Sequence, residues 1–363
     1  MSDKPLTHGR GAQSGALSKR FALPAREQDG DWRDEAEAID GPPPKLRTTV
    51  TIEHPRTILS FNKSPDIGFD RSLNAYRGCE HGCIYCFARP THAWLDLSPG
   101  LDFETKLFAK PDAPALLRAT LAKRGYEPRP IAMGTNTDPY QPIEGTWRIT
   151  RQILELCLET GHPVTITTKS DRVTRDLDLL TELARLNLVH VAISVTSLDP
   201  HLSRKLEPRA PTPTRRVDAL RRLAAAGVPA YASIAPVIPA ITDDQIEAIL
   251  TAVGRAGVSG AGWILMRLPH EVAPLFKEWL RVHFPDRAEK VMGIVRAMRG
   301  GRDNEPDFHK RFHAQGPWAD LFRTRFRLAR KRAGIPSARF ELDRSRFRAP
   351  ARDGQMDLFD GAG

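Results

Sequence analysis

Between residues 70 and 285 short apolar runs alternate with stretches of helical periodicity, and that alternation limits the possible folds more than any other feature of the chain. Strand-like runs fall at 72–76, 105–109, 131–134, 164–168, 189–195, 230–237 and 260–265. Helical periodicity fills 113–124, 146–160, 172–186, 214–226, 243–254 and 275–282 between them. Repeated strand–helix units with apolar strands call for a parallel sheet covered by helices. Six or seven such units predict an α/β fold closed into a barrel or part-barrel. In that architecture reactive groups gather on the loops that leave the carboxyl ends of the strands.

The loop after the first run, Arg77-Gly78-Cys79-Glu80-His81-Gly82-Cys83-Ile84-Tyr85-Cys86, holds three of the chain's four cysteines in C-x3-C-x2-C spacing. Four cysteines are too few to staple 363 residues, so the trio points to a metal or redox site in a reducing compartment. Three thiolates can hold one corner of a metal centre, and Gly78 and Gly82 let the backbone turn around it. Two occupants suit the spacing. One is structural zinc, with His81 or His92 as fourth ligand; the other is an iron–sulfur cluster that keeps one iron open. The remaining cysteine, Cys157, shares a helical face with Leu154 and Leu158 and reads as core.

The wider segment RGCEHGCIYCFARPTHAWLDLSPGLDFE, followed by TDPYQPIE, TTKSD and APVIPAI, resembles the radical S-adenosylmethionine (radical SAM) superfamily, in its branch related to spore photoproduct lyase. The likeness runs over about residues 55–300. It implies a partial (β/α)6 barrel in which Cys79, Cys83 and Cys86 bind a [4Fe-4S] cluster and S-adenosylmethionine (SAM) chelates the fourth iron. One electron would then cleave SAM to methionine and a 5′-deoxyadenosyl radical that takes hydrogen from a substrate. The same resemblance puts Tyr85 beside the adenine, Lys169 and Ser170 at polar contacts to SAM, Ser194 at the ribose, and the backbone of Val237 and Ile238 at the adenine. An electron donor is implied as a partner. One departure is plain: spore photoproduct lyase uses an extra cysteine as hydrogen donor near the loop where this chain has Thr135-Asn136-Thr137. Repair of a spore-type thymine dimer by that route is therefore not expected.

Outside the cysteine loop the densest polar group on the predicted rim is Asp138, Tyr140, Gln141 and Glu144, which are substrate candidates; the same run also suits a helix-starting turn capped by Thr137 or Asp138. Glu207 and Arg209 could reach SAM or substrate, or form an ion pair on a loop.

The flanks complete the organisation: a Gly- and Pro-rich tail over 1–48, flexible or laid over a surface, the barrel over 49–285, a basic and mainly helical extension over 286–350, and a flexible tail over 351–363. Net charge is +10, and residues 296–352 alone hold 16 Lys and Arg against 6 Asp and Glu. That block fits a polyanion partner such as nucleic acid, or a solvated arginine face. Within it Trp318, Leu321, Phe322, Phe326 and Ala329 recur at helical spacing, and Phe308, Phe340 and Phe347 interleave with arginine in a way that permits base stacking. Near the end, Gln355-Met356-Asp357-Leu358-Phe359 resembles the sliding-clamp-binding motif of bacterial DNA polymerases and repair proteins, which implies a clamp as partner through Gln355, Leu358 and Phe359. The polar start MSDKPLTHGRGAQSG and the lack of any run near about 18 apolar residues predict a cytoplasmic chain with no membrane partner. The function expected is a radical SAM enzyme acting on an unknown substrate, nucleic acid favoured, in repair or modification. The alternative is a nucleic-acid-binding protein whose iron–sulfur or zinc site is structural.

Overall fold

Six strands lie side by side in parallel, as the alternation of runs and helices requires. In the computed structural model, which describes residues 9–21, 46–337 and 340–351, these are β3 (Arg71–Leu73), β6 (Ile131–Met133), β7 (Val164–Thr168), β8 (Val189–Ser194), β9 (Ala230–Val237) and β10 (Gly260–Leu265). They follow one another across the sheet in chain order, and the short β2 (Leu59–Phe61) runs antiparallel at the β3 edge. Residue pairs such as Val164 with Val189 and Val191 with Ala230 fix the register. β8, Val-His-Val-Ala-Ile-Ser, is buried at every position but His190, because one face fills the barrel and the other meets helices.

The helical layer consists of α1 (Ala113–Leu121), α2 (Ile149–Glu159), α3 (Leu177–Arg185), α4 (Pro213–Ala225), α5 (Ile246–Arg255) and α6 (Val272–His283). In α2 the buried set is Ile149, Ile153, Leu154, Leu156 and Cys157, an amphipathic stripe that puts Cys157 in the core as expected. Among the described residues no helix is long and apolar enough to cross a membrane.

Several expectations change in three dimensions. The run at 105–109 does not enter the barrel. It forms β5 (Lys106–Ala109), which pairs with β1 (Thr49–Ile52) and β4 (Tyr76–Arg77) in a separate three-stranded sheet. Period-two patterning identifies a strand without identifying its partner. β4 leads directly into the cysteine loop, so this small sheet fixes where the loop begins.

Within the 1–48 stretch, residues 9–21 are laid over the barrel, the second of the two expected arrangements. Arg10 Nη1 donates to the Glu104 carbonyl at 2.8 Å, and the backbone N–H groups of Gly11 and Ala12 donate to the Glu104 carboxylate at 2.9 and 2.8 Å. Glu104 is fully buried and recruits these donors. The boundary expected at 285 is also invisible in the packing: α7 (Ala288–Ala297) buries Val291, Met292 and Val295 in the same cluster as Phe276 and Trp279 of α6.

In the basic extension, α8 (Pro317–Arg332) packs Phe322, Phe326 and Ala329 on the outer helical layer beside α5, while Leu321 faces solvent and leaves the stripe. Phe340 stacks on His190 at 4.4 Å and Phe347 meets His162 edge-on at 5.5 Å. Both aromatics are consumed by packing across the amino ends of β7 and β8, the face opposite the cysteine loop. Only Phe308 stays exposed, with Arg311 over its ring. The clamp-like residues Gln355, Leu358 and Phe359 lie outside the described residues.

Candidate active site at the cysteine loop

The loop is a turn that its sequence makes possible and its neighbours hold. Gly78 and Gly82 take φ of +71° and +67°, and a Cβ at either would come within 2.8 Å of the Phe103 carbonyl or 2.7 Å of Glu104 Oε2. Arg89 is completely buried behind the loop. Its five N–H donors all find acceptors: the carbonyls of Cys83 (2.9 Å), Gly82 (3.0 Å), Pro99 (3.0 Å) and Gly100 (2.9 Å), and Glu104 Oε1 (2.5 Å). From the other side Gln141 accepts from the Glu80 N–H at 2.9 Å and donates to the Gly78 carbonyl at 3.2 Å, while Thr137 donates to that carbonyl at 2.6 Å.

Cys79, Cys83 and Cys86 are free thiols, the first two buried and the third partly so. Burial pushes the Cys83 thiol up to about 12, against the help of the Lys169 charge, and raises Cys79 well above its ordinary value, with Asp138 adding to the effect. Alone they stay protonated at neutral pH; a bound cation reverses that preference. Of the two histidines considered as zinc ligands, His81 sets Nδ1 beside Asp138 Oδ2 at 3.3 Å and His92 sets Nε2 on the Lys106 carbonyl at 2.9 Å, while His92 Nδ1 is buried without a hydrogen-bond partner among the described residues. Among the described residues no three Cys, His, Asp or Glu side chains close on a single ion. Three thiols with no fourth protein donor fit an iron–sulfur cluster that keeps one iron open better than they fit a tetrahedral zinc.

Beside the thiols lies a buried polar network. The Tyr85 hydroxyl donates to Glu207, Thr196 donates to the same carboxylate at 2.8 Å, and Arg216 forms a buried ion pair with it. Burial opposes the Glu207 charge, yet Arg216 and Lys169 hold its carboxyl down at about 2. The Lys169 ammonium sits 5.7 Å from the centre of the Tyr85 ring. Burial works against its charge, but Cys83 and Glu207 raise its pKa above the ordinary value, so it is a fixed cation next to the thiols. Ser194 ends β8 within this region; its carbonyl accepts from Arg216 at 3.4 Å and its hydroxyl has no partner among the described residues. Arg216 and Thr196 escaped the sequence reading because an arginine in a helix and a threonine after a strand carry no local signature.

Other candidates do different work. Asp138 accepts from Thr168 (2.6 Å), the Lys169 N–H (2.8 Å) and the Tyr140 N–H (2.9 Å), which ties the loops after β6 and β7 together. Despite burial, His81 and these donors hold its carboxyl at about 2. A carboxyl held below its unfolded value contributes stability that is complete above about pH 4 and lost as pH falls toward 2. Asp138→Asn is expected to cost about 2 kcal/mol at pH 7. In urea unfolding, the gap between variant and parent should narrow to about half its pH 7 size at pH 3 and close only below about pH 2; a gap that keeps its full size at pH 3 would assign Asp138 another role.

Tyr140 and Glu144 are corrected from the rim to the interior. Tyr140 donates to Asp176 at 3.1 Å, and Glu144 takes Arg175 at 2.8 Å and the Tyr76 hydroxyl, both residues being fully buried. Gln141, also fully buried, clamps the cysteine loop and faces no substrate. Ser170 caps the turn Asp171–Asp176, accepting from the Arg172 N–H at 3.2 Å. Backbone groups at Val237 and Ile238 are also taken: the Val237 carbonyl by Met266 at 3.0 Å, the Ile238 N–H by Thr242 at 2.9 Å. Glu207 and Arg209 do not pair with each other; Arg209 bridges to Glu80 at 2.6 Å.

A six-stranded parallel part-barrel with a three-thiol loop at its carboxyl rim, backed by a buried lysine and an aromatic–carboxylate network, defines a recognisable class of cofactor-bearing proteins. The chain belongs to the radical SAM superfamily, whose model matches residues 73–253. An uncharacterized protein of Mycobacterium tuberculosis is 36% identical over 281 residues, covering 76% of this chain and 80% of the relative. An uncharacterized protein of Methanocaldococcus jannaschii is 29% identical over 219 residues, 60% of this chain and 78% of the relative. Among solved structures, spore photoproduct lyase complexed with dinucleoside spore photoproduct superposes with a TM-score of 0.55 over 78% of this chain and 79% of that one, at 16% identity. That last likeness is one of fold.

Proposed function

We propose that the protein is a radical SAM enzyme that holds a [4Fe-4S] cluster on Cys79, Cys83 and Cys86, cleaves SAM reductively and abstracts hydrogen from a substrate. The observation that carries this reading is the set of three free thiols on one glycine-turned loop, with Lys169 and the Tyr85–Glu207–Arg216 network beside them. When bound, such a cluster supplies the electron that breaks a carbon–sulfur bond of SAM and so delivers a carbon radical.

The chain's own residues then have three tasks. Arg89, Gln141 and Thr137 hold the backbone of the loop that carries the thiols. Lys169 offers a cation suited to a carboxylate such as that of methionine. Glu207, fixed by Tyr85, Thr196 and Arg216, keeps negative charge near the site and can receive an amino group or a ribose hydroxyl.

The test is made on anaerobically reconstituted protein reduced with dithionite. Its electron paramagnetic resonance spectrum is recorded with and without SAM, and 5′-deoxyadenosine is measured in the same sample. A cubane signal that shifts with SAM, together with 5′-deoxyadenosine, supports the proposal. Zinc in place of iron, or a cluster indifferent to SAM, overturns it. Lys169→Ala is expected to weaken SAM binding about tenfold by equilibrium dialysis while iron content stays at the parental level, as loss of one charge-assisted contact should.

A further inference from the structure

A cavity of about 590 Å³ opens next to the cysteine loop, with His81 of that loop in its wall. The rest of the wall comes from the turn after β7 and from the loop and helix around α4, and it carries Arg172, Arg175, Arg209, Arg215 and Arg222. Its one acidic residue, Asp171, is already paired with Arg215 at 2.6 Å. Arg175 is neutralised by Glu144 and Asp176, and Arg209 by Glu80. Arg172 and Arg222 are exposed, and their side chains have no ion-pair or hydrogen-bond partner among the described residues. Two uncompensated guanidinium charges therefore stand over a concave surface that touches the loop carrying the thiols.

The spacing says what kind of anion suits it. Arg215 and Arg222 lie two turns apart on one face of α4, about 10 Å at 1.5 Å per residue. That is too wide for one phosphate and suits an anion that carries more than one phosphate, such as a nucleic-acid strand. No Phe, Tyr or Trp lines the cavity, so it is better suited to gripping a charged backbone than to stacking bases. The guanidinium fork is the side chain best shaped for phosphate oxygens.

We propose that this arginine-lined cavity binds the phosphodiester backbone of a nucleic-acid substrate and lays it against the cysteine loop. The inference rests on the radical SAM reading only for what is then done to the substrate. It also relocates the nucleic-acid contact: α8, the most basic helix, packs on the outer layer beside α5, away from the thiols.

The experiment follows the fluorescence anisotropy of fluorescein-labelled 20-mers of mixed sequence, single- and double-stranded, with the full chain across a salt series. The parent protein should bind. R172A/R222A should weaken binding about tenfold or more at low salt and reduce the slope of log K against log salt by close to 2, about 1 for each lost phosphate contact. R327A/K331A on α8, two exposed residues, should leave affinity unchanged. Neither Arg172 nor Arg222 supports another side chain, and melting curves will show whether the variant keeps its fold. Absence of oligonucleotide binding by the parent overturns the proposal, as does parental binding by R172A/R222A or a loss confined to the α8 variant. Competition by inorganic phosphate with no oligonucleotide binding also overturns it, in favour of a small phosphorylated ligand. Formation of 5′-deoxyadenosine without nucleic acid reads the enzyme proposal separately, so failure of one is distinguishable from failure of the other.

Discussion

Arg89→Ala should lower the free energy of unfolding by about 3–5 kcal/mol and leave a protein that reconstitutes with little iron. The side chain is fully buried, and each of its five donors ends on an acceptor that has no water to replace it. Its removal strands the Glu104 carboxylate in the interior and frees the carbonyls of Gly82 and Cys83, the residues between which the loop turns. Glu104 in turn anchors Gly11 and Ala12, so the N-terminal segment should loosen as well. The measurements are urea unfolding and iron per chain after reconstitution, with limited proteolysis at residues 9–21 as a third readout. Parental stability and iron content in this variant would show that the loop is held by the thiols' cofactor and not by the guanidinium.

Replacing any one of Cys79, Cys83 or Cys86 with alanine should remove the iron and lower 5′-deoxyadenosine formation at least about 10³-fold, because each thiolate would bind one iron of the cluster and alanine supplies no ligand. Cys157→Ala is the control. That thiol lies in the core of α2, pushed up to about 12 by burial alone, and its loss should leave iron and turnover near parental values. The unloaded fold should tolerate the loop substitutions, since without a cofactor the thiol side chains contribute little beyond packing. Full activity in any single loop variant would remove the three-thiolate assignment.

The sheet was legible in the sequence to within a residue or two at most strand ends, because apolar runs of four to eight residues bounded by turns can only be strands when helices separate them. β7, β9 and β10 illustrate it. The cysteine loop was legible for a different reason: metal ligation demands particular atoms at short sequence spacing, so C-x3-C-x2-C with Gly78 and Gly82 is a local statement. Two short early strands, β1 and β2, were missed, since a three- or four-residue strand with mostly exposed side chains has no pattern to show.

What the sequence by itself determined is the order of strands and helices and the identity of the three thiols. Both are written in local periodicity and spacing. Only the tertiary structure decided what the charged and polar residues do, because a carboxylate's role depends on which distant donor reaches it. Glu144 and Tyr140 looked like rim residues and proved to be interior partners of Arg175, Tyr76 and Asp176. Arg216, Arg89 and Glu104 carried no signal along the chain, yet they brace the site across 9 to 15 residues or more. Arg172 and Arg222 became neighbours of one cavity only when the turn after β7 closed against α4. Long-range electrostatic pairing is set by folding in three dimensions, and no one-dimensional pattern encodes it.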